Sequence, residues 1–264
     1  MTSWLSGTLA ITGGYLGYHR TGGGGPALLL SHGLTDNGLC WSRLATAFAP
    51  DFDVIMLDAR GHGDSSRMIP DQPHDPGEDI AEAIRKLGLT APIVMGHSVG
   101  ARATAMYAAA YPDRVSKVIL EDPPLMPLID PAATMRRRSR FRDQVETFRS
   151  MTPAAITAMG KANSPTWHDD DFPAWTASKQ QVDLEAMPDY RTPWQETLSA
   201  ITAPTLLIHA DPARGGIVTP ELAEEARRLN LNIRTVQIPS AGHNTRRENF
   251  VDYLAAVRAF LAKD

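Results

Sequence analysis

The chain is poor in several features that mark particular classes of protein. Its 264 residues include a single cysteine, Cys40, which excludes an internal disulfide framework and favours a reducing compartment. Its formal net charge is −4, whereas binding to nucleic acid needs clustered Lys and Arg, so we expect no nucleic-acid partner. No apolar run approaches the roughly 20 residues that span a bilayer, and the opening MTSWLSGTLAITGG lacks the basic start and apolar stretch of a signal peptide. These absences predict a cytoplasmic protein without a membrane partner.

What the sequence does contain is a regular alternation of short apolar runs with helical stretches. The apolar runs are continuous, as expected for parallel strands buried on both faces, and they cover residues 27–33, 53–61, 92–98, 115–123, 205–211 and 233–239. The helical stretches cover residues 41–49, 75–88, 99–111, 219–230 and 246–263. A glycine-broken stretch at 7–22 fits an antiparallel hairpin at the sheet edge. The pattern predicts an α/β fold with a mostly parallel central sheet and helices on both faces.

One long segment interrupts this alternation. Residues 123–203 contain no strand-like run and hold three of the five tryptophans. Eighty residues without structure would be unusual in a compact domain, so we interpret this segment as a helical insertion that lies over the sheet. The core α/β domain would then consist of residues 1–122 and 204–264.

The motif GHSVG lies where a strand is predicted to end and a helix to begin. It has the form Gly-X-Ser-X-Gly, with Ser98 between Gly96 and Gly100. A sharp turn from strand to helix strains the serine backbone, and glycines on either side remove the Cβ atoms that would collide there. The hydroxyl is then exposed above the sheet. The context predicts that Ser98 is a nucleophile.

A serine at neutral pH needs a base within hydrogen-bond reach. His243 follows the last predicted strand and precedes the last helix, which places it at the same sheet edge as Ser98. Its small neighbours in PSAGHN leave room for the imidazole. His97 lies inside the elbow, but its side chain is expected to point away from the hydroxyl. The sequence therefore favours His243 as the base.

The acid that orients the imidazole has three candidates. Asp211 ends the strand TLLIHAD and is our first choice. Asp122 and Glu121, in ILEDPP, end the strand before the insertion and could reach the same histidine. The choice among them stays open at this point.

An acyl-transfer site also needs donors for the oxyanion that develops in the transition state. The backbone N–H of Val99, directly after the serine, is one candidate. The loop SHGLTDNG follows the first central strand and offers the N–H of Leu34 as the second. Gly33 lets this backbone approach a substrate.

Taken together, these residues resemble the α/β-hydrolase superfamily over nearly the whole chain. The matching pieces are SHGLTDNGLCW, DARGHGDSS, GHSVG, YPDRVSKVILEDPP and PSAGHN. The resemblance implies a triad of Ser98, Asp211 and His243, an oxyanion hole at Leu34 and Val99, and a cap domain at 123–203. Some family members take the acid from the preceding strand, so Asp122 and Glu121 remain alternatives.

The predicted function is that of a serine hydrolase that cleaves a carboxylic ester or lactone of a small to medium, partly apolar substrate. There are two alternatives. One is a hydrolase of carbon–carbon bonds in β-diketone-like ring-cleavage products, and the other is a ligand receptor with the same fold. We expect no metal and no organic cofactor, because the mechanism needs neither and the eight histidines lack the close spacing of an H-E-x-x-H site. We expect a monomer or homodimer.

The insertion is expected to decide the substrate. Its tryptophans and methionines could line an apolar pocket, and the substrate-binding candidates are Trp167, Trp175, Trp194 and Met126. The run RRRSRFR, residues 136–142, is either a solvated helix face or an attraction for carboxylate-bearing substrates or products.

Overall fold

A computed structural model describes residues 4–69, 72, 74–128 and 130–262 of the chain, which form one eight-stranded sheet with helices on both faces. The strands are β1 (Leu5–Ile11), β2 (Gly14–Arg20), β3 (Ala27–Ser31), β4 (Asp53–Leu57), β5 (Ile93–His97), β6 (Lys117–Glu121), β7 (Thr205–His209) and β8 (Ile233–Gln237). Their spatial order is β1-β2-β4-β3-β5-β6-β7-β8. β2 pairs antiparallel with β1 and β4, and every other pair is parallel. The predicted fold class is confirmed, including the edge hairpin.

Ten α-helices occur among the described residues, and those predicted at 41–49, 75–88, 99–111 and 219–230 lie within two residues of their predicted ends. The ten are α1 (Ser42–Phe48), α2 (Pro76–Lys86), α3 (Val99–Ala110), α4 (Pro131–Ser150), α5 (Pro153–Asn163), α6 (Phe172–Lys179), α7 (Trp194–Ser199), α8 (Pro220–Leu229), α9 (Thr245–Glu248) and α10 (Phe250–Leu261). The predicted single C-terminal helix is wrong. Asn249 leaves the helical conformation, and its side chain accepts the N–H of Asp252 as a cap that starts α10. Among the described helices, none has both the length and the apolar character that crossing a bilayer requires.

The core consists of two apolar layers, one on each face of the sheet. In β3, Leu29 faces one layer and Leu28 and Leu30 face the other, and all three are fully buried. Since successive side chains of a strand point to opposite faces, a strand covered on both sides must be apolar throughout. Each fully buried side chain of this size stabilises the fold by about 1.5–3 kcal/mol. This covering explains the continuous apolar runs of the sequence.

Residues 123–203 form the connection between β6 and β7, called here the inserted segment. Its helices are α4 to α7, and its described residues include no strand. Its end does not lie apart from the core, because Trp194, Leu198 and Ile201 pack in the same apolar layer as Leu207 of β7. The boundary of a separate cap at residue 203 stays a prediction.

Candidate active site

Ser98 occupies a strained turn between β5 and α3. Its φ of 54° and ψ of −124° lie in a region that residues other than glycine rarely adopt. A Cβ on Gly96 would lie 2.3 Å from the carbonyl oxygen of Gly100, and one on Gly100 would lie 2.4 Å from that of His32. Both carbonyl oxygens belong to the backbone, so they cannot move aside as a flexible side chain could. The tight turn therefore requires the two glycines of the motif.

His243 lies between β8 and α9, and its ring reaches the serine. The hydroxyl of Ser98 donates to Nε2 of His243 over 3.1 Å. His97 was expected to point away from the hydroxyl, and its ring contacts the backbone of His243 instead. Its Nε2–H donates to the carbonyl oxygen of His243 over 2.9 Å, and the two ring centroids are 4.8 Å apart. Burial lowers the pKa of His97 well below its ordinary value, so the ring is neutral. His97 thus holds the loop that carries His243.

The carboxylate that contacts His243 belongs to Asp122. Nδ1–H of His243 donates to Oδ2 of Asp122 over 2.7 Å. Asp122 follows β6 directly, and the register of β5 with β6 pairs His97 with Glu121, so Ser98 and Asp122 lie at the ends of neighbouring strands. Asp122 is fully buried and has a φ of 42°. The strained backbone aims the carboxylate at the histidine loop.

The preference for Asp211 as the partner of His243 is wrong. Its carboxylate instead accepts the N–H of Ala213 over 2.9 Å and caps a short turn after β7. The loop that follows contributes backbone donors to the other acid, because the N–H groups of Ile217 and Val218 donate to Asp122 over 2.9 and 3.0 Å. The loop expected to supply the acid therefore fixes an acid that comes from the neighbouring strand.

Glu121, the other alternative, faces away from the histidine. Its carboxylate is fully buried and accepts from the backbone and guanidinium of Arg246, over 3.0 and 3.2 Å, and from the hydroxyl of Tyr253 over 3.2 Å. Burial raises the pKa of Glu121 more than these contacts lower it. Its role in the structure is to anchor α9, directly after the histidine loop.

The two candidate oxyanion donors lie beside the serine. Val99 is the first residue of α3, and within the described part of the chain the N–H groups of Val99 and Leu34 donate to no other residue. A Cβ placed on Gly33 would lie 3.6 Å from Cβ of Ser98, which shows how closely this loop approaches. The carbonyl oxygen of Gly33, in the same peptide as the N–H of Leu34, accepts from Nδ1–H of His32 over 2.8 Å, and Nε2–H of His62 donates to the carbonyl oxygen of the next peptide over 2.6 Å. The arrangement fits an oxyanion hole, whose role remains a prediction.

A buried cluster of charged side chains contacts the loop that carries Leu34. This cluster was not predicted from the sequence. Asp36 contacts Lys179 of α6, Arg246 and Arg247 at 3.1, 3.4 and 2.9 Å. Burial alone would raise the pKa of Asp36, but Arg247 and Lys179 outweigh it and hold that pKa well below its ordinary range. Lys179 also donates to the carbonyl oxygen of Thr35 over 2.7 Å. The cluster ties the inserted segment to the loop of Leu34 and to the helix after His243.

The four substrate-binding candidates separate into three groups. Trp194 is 2% exposed inside the main core, so the expectation that it contacts substrate is wrong. Trp167 and Trp175 pack against Phe172 with ring centroids 5.8 and 6.3 Å from it, and their contact with a substrate stays a prediction. Met126 is exposed and lines a cavity of about 200 Å³ between α3, α4 and the chain before α7.

One group of possible metal ligands occurs among the described residues. Ligand atoms of His19, Asp58 and Asp64 lie within 4.8 Å of one another. The oxygens of Asp58 already accept the N–H groups of Gly38 and Asp64 over 2.7 and 2.9 Å. Nδ1 of His19 is hydrogen-bonded to Ser6 over 2.8 Å. These contacts give the group a structural role in holding the turn after β4.

Known proteins resemble this chain over most of its length. A family model described as the alpha/beta hydrolase fold matches residues 26–246. N-formylmaleamate deformylase of Pseudomonas putida is 29% identical over 92% of this chain and 91% of its own. 2-(Acetamidomethylene)succinate hydrolase of Mesorhizobium japonicum is 27% identical over 85% of this chain and 84% of its own.

A solved structure of E-2-(acetamidomethylene)succinate hydrolase shares the fold, with a TM-score of 0.83 and 24% identity over 98% of this chain and all of the other. Neither relative's name describes a receptor or a hydrolase of β-diketones, so these two alternatives are not favoured. The match of the family model over most of the chain leads to one conclusion. The chain belongs to the α/β hydrolase fold family of enzymes.

Proposed function

We propose that this protein is a serine hydrolase of carboxylic esters or lactones, with Ser98 as nucleophile, His243 as base and Asp122 as the acid that orients the base. The observation that carries the proposal is the continuous chain of hydrogen bonds from the Ser98 hydroxyl through the His243 ring to the Asp122 carboxylate, at 3.1 and 2.7 Å. This is the geometry by which a weakly nucleophilic hydroxyl is activated at neutral pH.

In the first half of the reaction, Oγ of Ser98 attacks the carbonyl carbon while its proton passes to Nε2 of His243. The Asp122 carboxylate holds the proton on Nδ1, keeps Nε2 free to accept, and stabilises the imidazolium that forms. The carbonyl oxygen becomes an oxyanion, which the N–H groups of Leu34 and Val99 stabilise. Loss of one such donor typically raises the barrier by about 3 kcal/mol.

In the second half, His243 gives its proton to the departing alkoxide, and an acyl ester on Ser98 remains. Water then takes the place of the alcohol: His243 removes one of its protons, the hydroxide adds to the acyl carbon, and the proton returns to Oγ as the acid leaves. The side chain of His243 is 30% exposed, so water can reach the ring. Each proton is transferred and returned, and the enzyme is regenerated.

The room beside the serine supports a small acyl group. A cavity of about 60 Å³ borders Gly33 and Val99, and its lining combines apolar side chains with charged or polar ones, among them Asp58, Arg60 and Asp79. Its small volume favours a short acyl group, and the few polar groups of such a pocket fix the orientation of what binds there.

An amide is the second candidate bond, and the names of the relatives favour it. N-formylmaleamate and 2-(acetamidomethylene)succinate both carry an acyl group on nitrogen. The same triad cleaves amides when His243 protonates a nitrogen leaving group. Esters and amides of the same acid therefore belong in one substrate panel.

The test is hydrolysis of p-nitrophenyl acetate and butyrate, of a γ-lactone and of N-formyl and N-acetyl amides by the purified protein. We expect turnover of at least one class, loss of that turnover in Ser98→Ala and His243→Ala, and phosphonylation of Ser98 by a fluorophosphonate, located by peptide mass. Equal turnover by Ser98→Ala, or labelling elsewhere, would overturn the proposal. Asp211→Asn serves as a matched control and retains native rates.

A further inference from the structure

The cavity of about 200 Å³ that Met126 borders has an unusual lining. Alongside apolar residues it contains three arginines, Arg102 of α3 with Arg137 and Arg138 of α4. Asp189 is the one acidic residue among the described residues that line it, and it lies 3.9 Å from Arg138. Arg137 forms no ion pair within the described part of the chain. The cavity therefore has an excess of positive charge.

Arg102 is the lining residue that lies nearest to Ser98 in the chain. Its backbone N–H donates to the carbonyl oxygen of Ser98 over 3.1 Å, so it lies one helical turn beyond the nucleophile. The residue is 2% exposed. Its Nη2 donates to the carbonyl oxygen of Thr192 over 2.7 Å, but Nη1 is buried with no hydrogen-bond partner among the described residues.

Tyr190 presents a second unpaired group at the same place. Its hydroxyl is also buried without a partner in the described structure, and its ring centroid lies 5.4 Å from the guanidinium carbon of Arg102. Burial raises the pKa of Tyr190, so the hydroxyl keeps its proton and can donate. Two buried donors without acceptors are costly, and native structures normally satisfy such groups. An acceptor that reached both groups from this cavity would satisfy them.

We propose that the cavity binds a carboxylate carried by the substrate, with Nη1 of Arg102 and the hydroxyl of Tyr190 as donors and Arg137 as a further positive charge. The inference rests on the proposed function of Ser98 and narrows it to esters or amides that contain a free carboxylate. A guanidinium paired with a carboxylate forms charge-assisted hydrogen bonds, which are the strong ones, and a neutral ester gains none of them. The arginine run of α4 thereby acquires a role beyond that of a solvated helix face.

Tyr190 lies in a part of the inserted segment, residues 186–193, that contains neither helix nor strand. Its ring contacts Arg102 of α3, so a ligand in this cavity would lie between the inserted segment and α3.

The experiment compares matched ester pairs that differ by one carboxylate. Monophenyl succinate is compared with phenyl butyrate, and 3-acetoxybenzoate with phenyl acetate, so the charge lies on the acyl or on the alcohol side. We expect the wild-type kcat/KM to favour the charged member of at least one pair by about tenfold or more, and this ratio to fall by a similar factor in Arg102→Gln. Tyr190→Phe should lower the ratio by a smaller factor. Arg140→Gln, on the same helix but lining a different cavity, should leave it unchanged.

Binding measured without turnover separates this proposal from that of the catalytic serine. Titration of Ser98→Ala with succinate and glutarate in a calorimeter should give saturable binding, and the double variant Ser98→Ala/Arg102→Gln should give none. Should Arg102→Gln not fold, Tyr190→Phe and Arg137→Gln in the Ser98→Ala background take its place. Equal rates on charged and neutral esters together with no diacid binding would overturn the carboxylate site while leaving the serine mechanism intact. Diacid binding without hydrolysis of any ester, lactone or amide of the panel would overturn the serine mechanism alone.

Discussion

Asp122 and His243 are 121 residues apart in the chain, yet the Asp122 carboxylate lies 2.7 Å from Nδ1 of the imidazole. The carboxylate is fully buried and accepts three hydrogen bonds, one from the ring and two from the backbone of residues 217 and 218. A group held by so many donors has little freedom to leave the ring. The pair is therefore preorganised for one tautomer of His243, the one that leaves Nε2 able to accept the serine proton.

Replacing Asp122 with asparagine should lower kcat by about 10³–10⁴-fold, because the amide cannot hold the required tautomer. The matched substitution Asp211→Asn should change kcat by less than about threefold, since that carboxylate only caps a turn. Both rates are measured on the best ester of the panel, and thermal unfolding is recorded for each variant. A larger loss in Asp211→Asn than in Asp122→Asn would contradict the assignment.

Adding a methyl group at Gly100 should destabilise the protein severely. The new Cβ would lie 2.4 Å from the carbonyl oxygens of Ser31 and His32, which belong to backbone. Such overpacking typically costs about 1–3 kcal/mol, and more where backbone must move. Gly24→Ala, where no heavy atom lies within 4 Å, should stay within about 0.5 kcal/mol of wild type. Urea unfolding measures both, and equal midpoints would show that the elbow tolerates a side chain.

Removing the ammonium of Lys179 should weaken both the fold and the site. Breaking a buried ion pair typically costs about 3–5 kcal/mol, and we expect the lower end for Lys179→Met because Arg246 and Arg247 remain beside Asp36. Since Asp36 lies in the loop of Leu34, kcat should fall as well. Lys161→Met removes a half-exposed lysine from an ion pair of the same inserted segment and should cause no measurable loss. A Lys179→Met protein as stable and active as wild type would refute the role of the cluster.

The free energy of unfolding should decrease as the pH falls from about 6.5 to 4. Burial lowers the pKa of His62 from 6.5 to about 4, and it also lowers the pKa values of His32 and His97. Within this window the unfolded chain binds more protons than the folded one, so acid favours unfolding. For His62 alone the difference amounts to about 3 kcal/mol.

Denaturant unfolding across this pH range, in wild type and in His62→Asn, measures the effect. The slope of stability against pH should be smaller in His62→Asn by up to about one proton. His168→Asn, at an exposed histidine, should keep the wild-type slope. A stability that rises on acidification would contradict the expected direction.

The sequence predicted the placement of those candidate residues that lie close to a strand end. Ser98 and Val99 follow β5 directly, the loop of Leu34 follows β3, and His243 lies in the loop after β8, so topology alone brings them to one edge. The acid could not be chosen in this way, because β6 and β7 are both near and both end in carboxylates. Which carboxylate contacts His243 depends on the path of the loop at 211–219, whose N–H groups donate to Asp122.

Other features had weaker signals or none. The break in the last helix could have been found from Asn249 and Asp252 in RRENFVD, since an asparagine three residues before an acidic side chain is a helix-start pattern. The cluster around Asp36 had no such signal, because Lys179 and Arg247 are 143 and 211 residues away from it in the chain. Long-range charge pairing leaves no periodicity in a sequence.

The place of Trp194 determines where the inserted segment could be exchanged for the corresponding segment of a relative. Its indole fills the interior beneath the sheet together with Leu198 and Ile201. A chimera that replaced the segment as far as residue 203 would remove these three side chains from the core, and the loss of a buried tryptophan alone typically costs about 3–5 kcal/mol. The exchange should therefore end before residue 194, so that Trp194 and the residues after it stay in place. The new segment should also carry a lysine at the position of Lys179, so that the buried ion pair with Asp36 is kept.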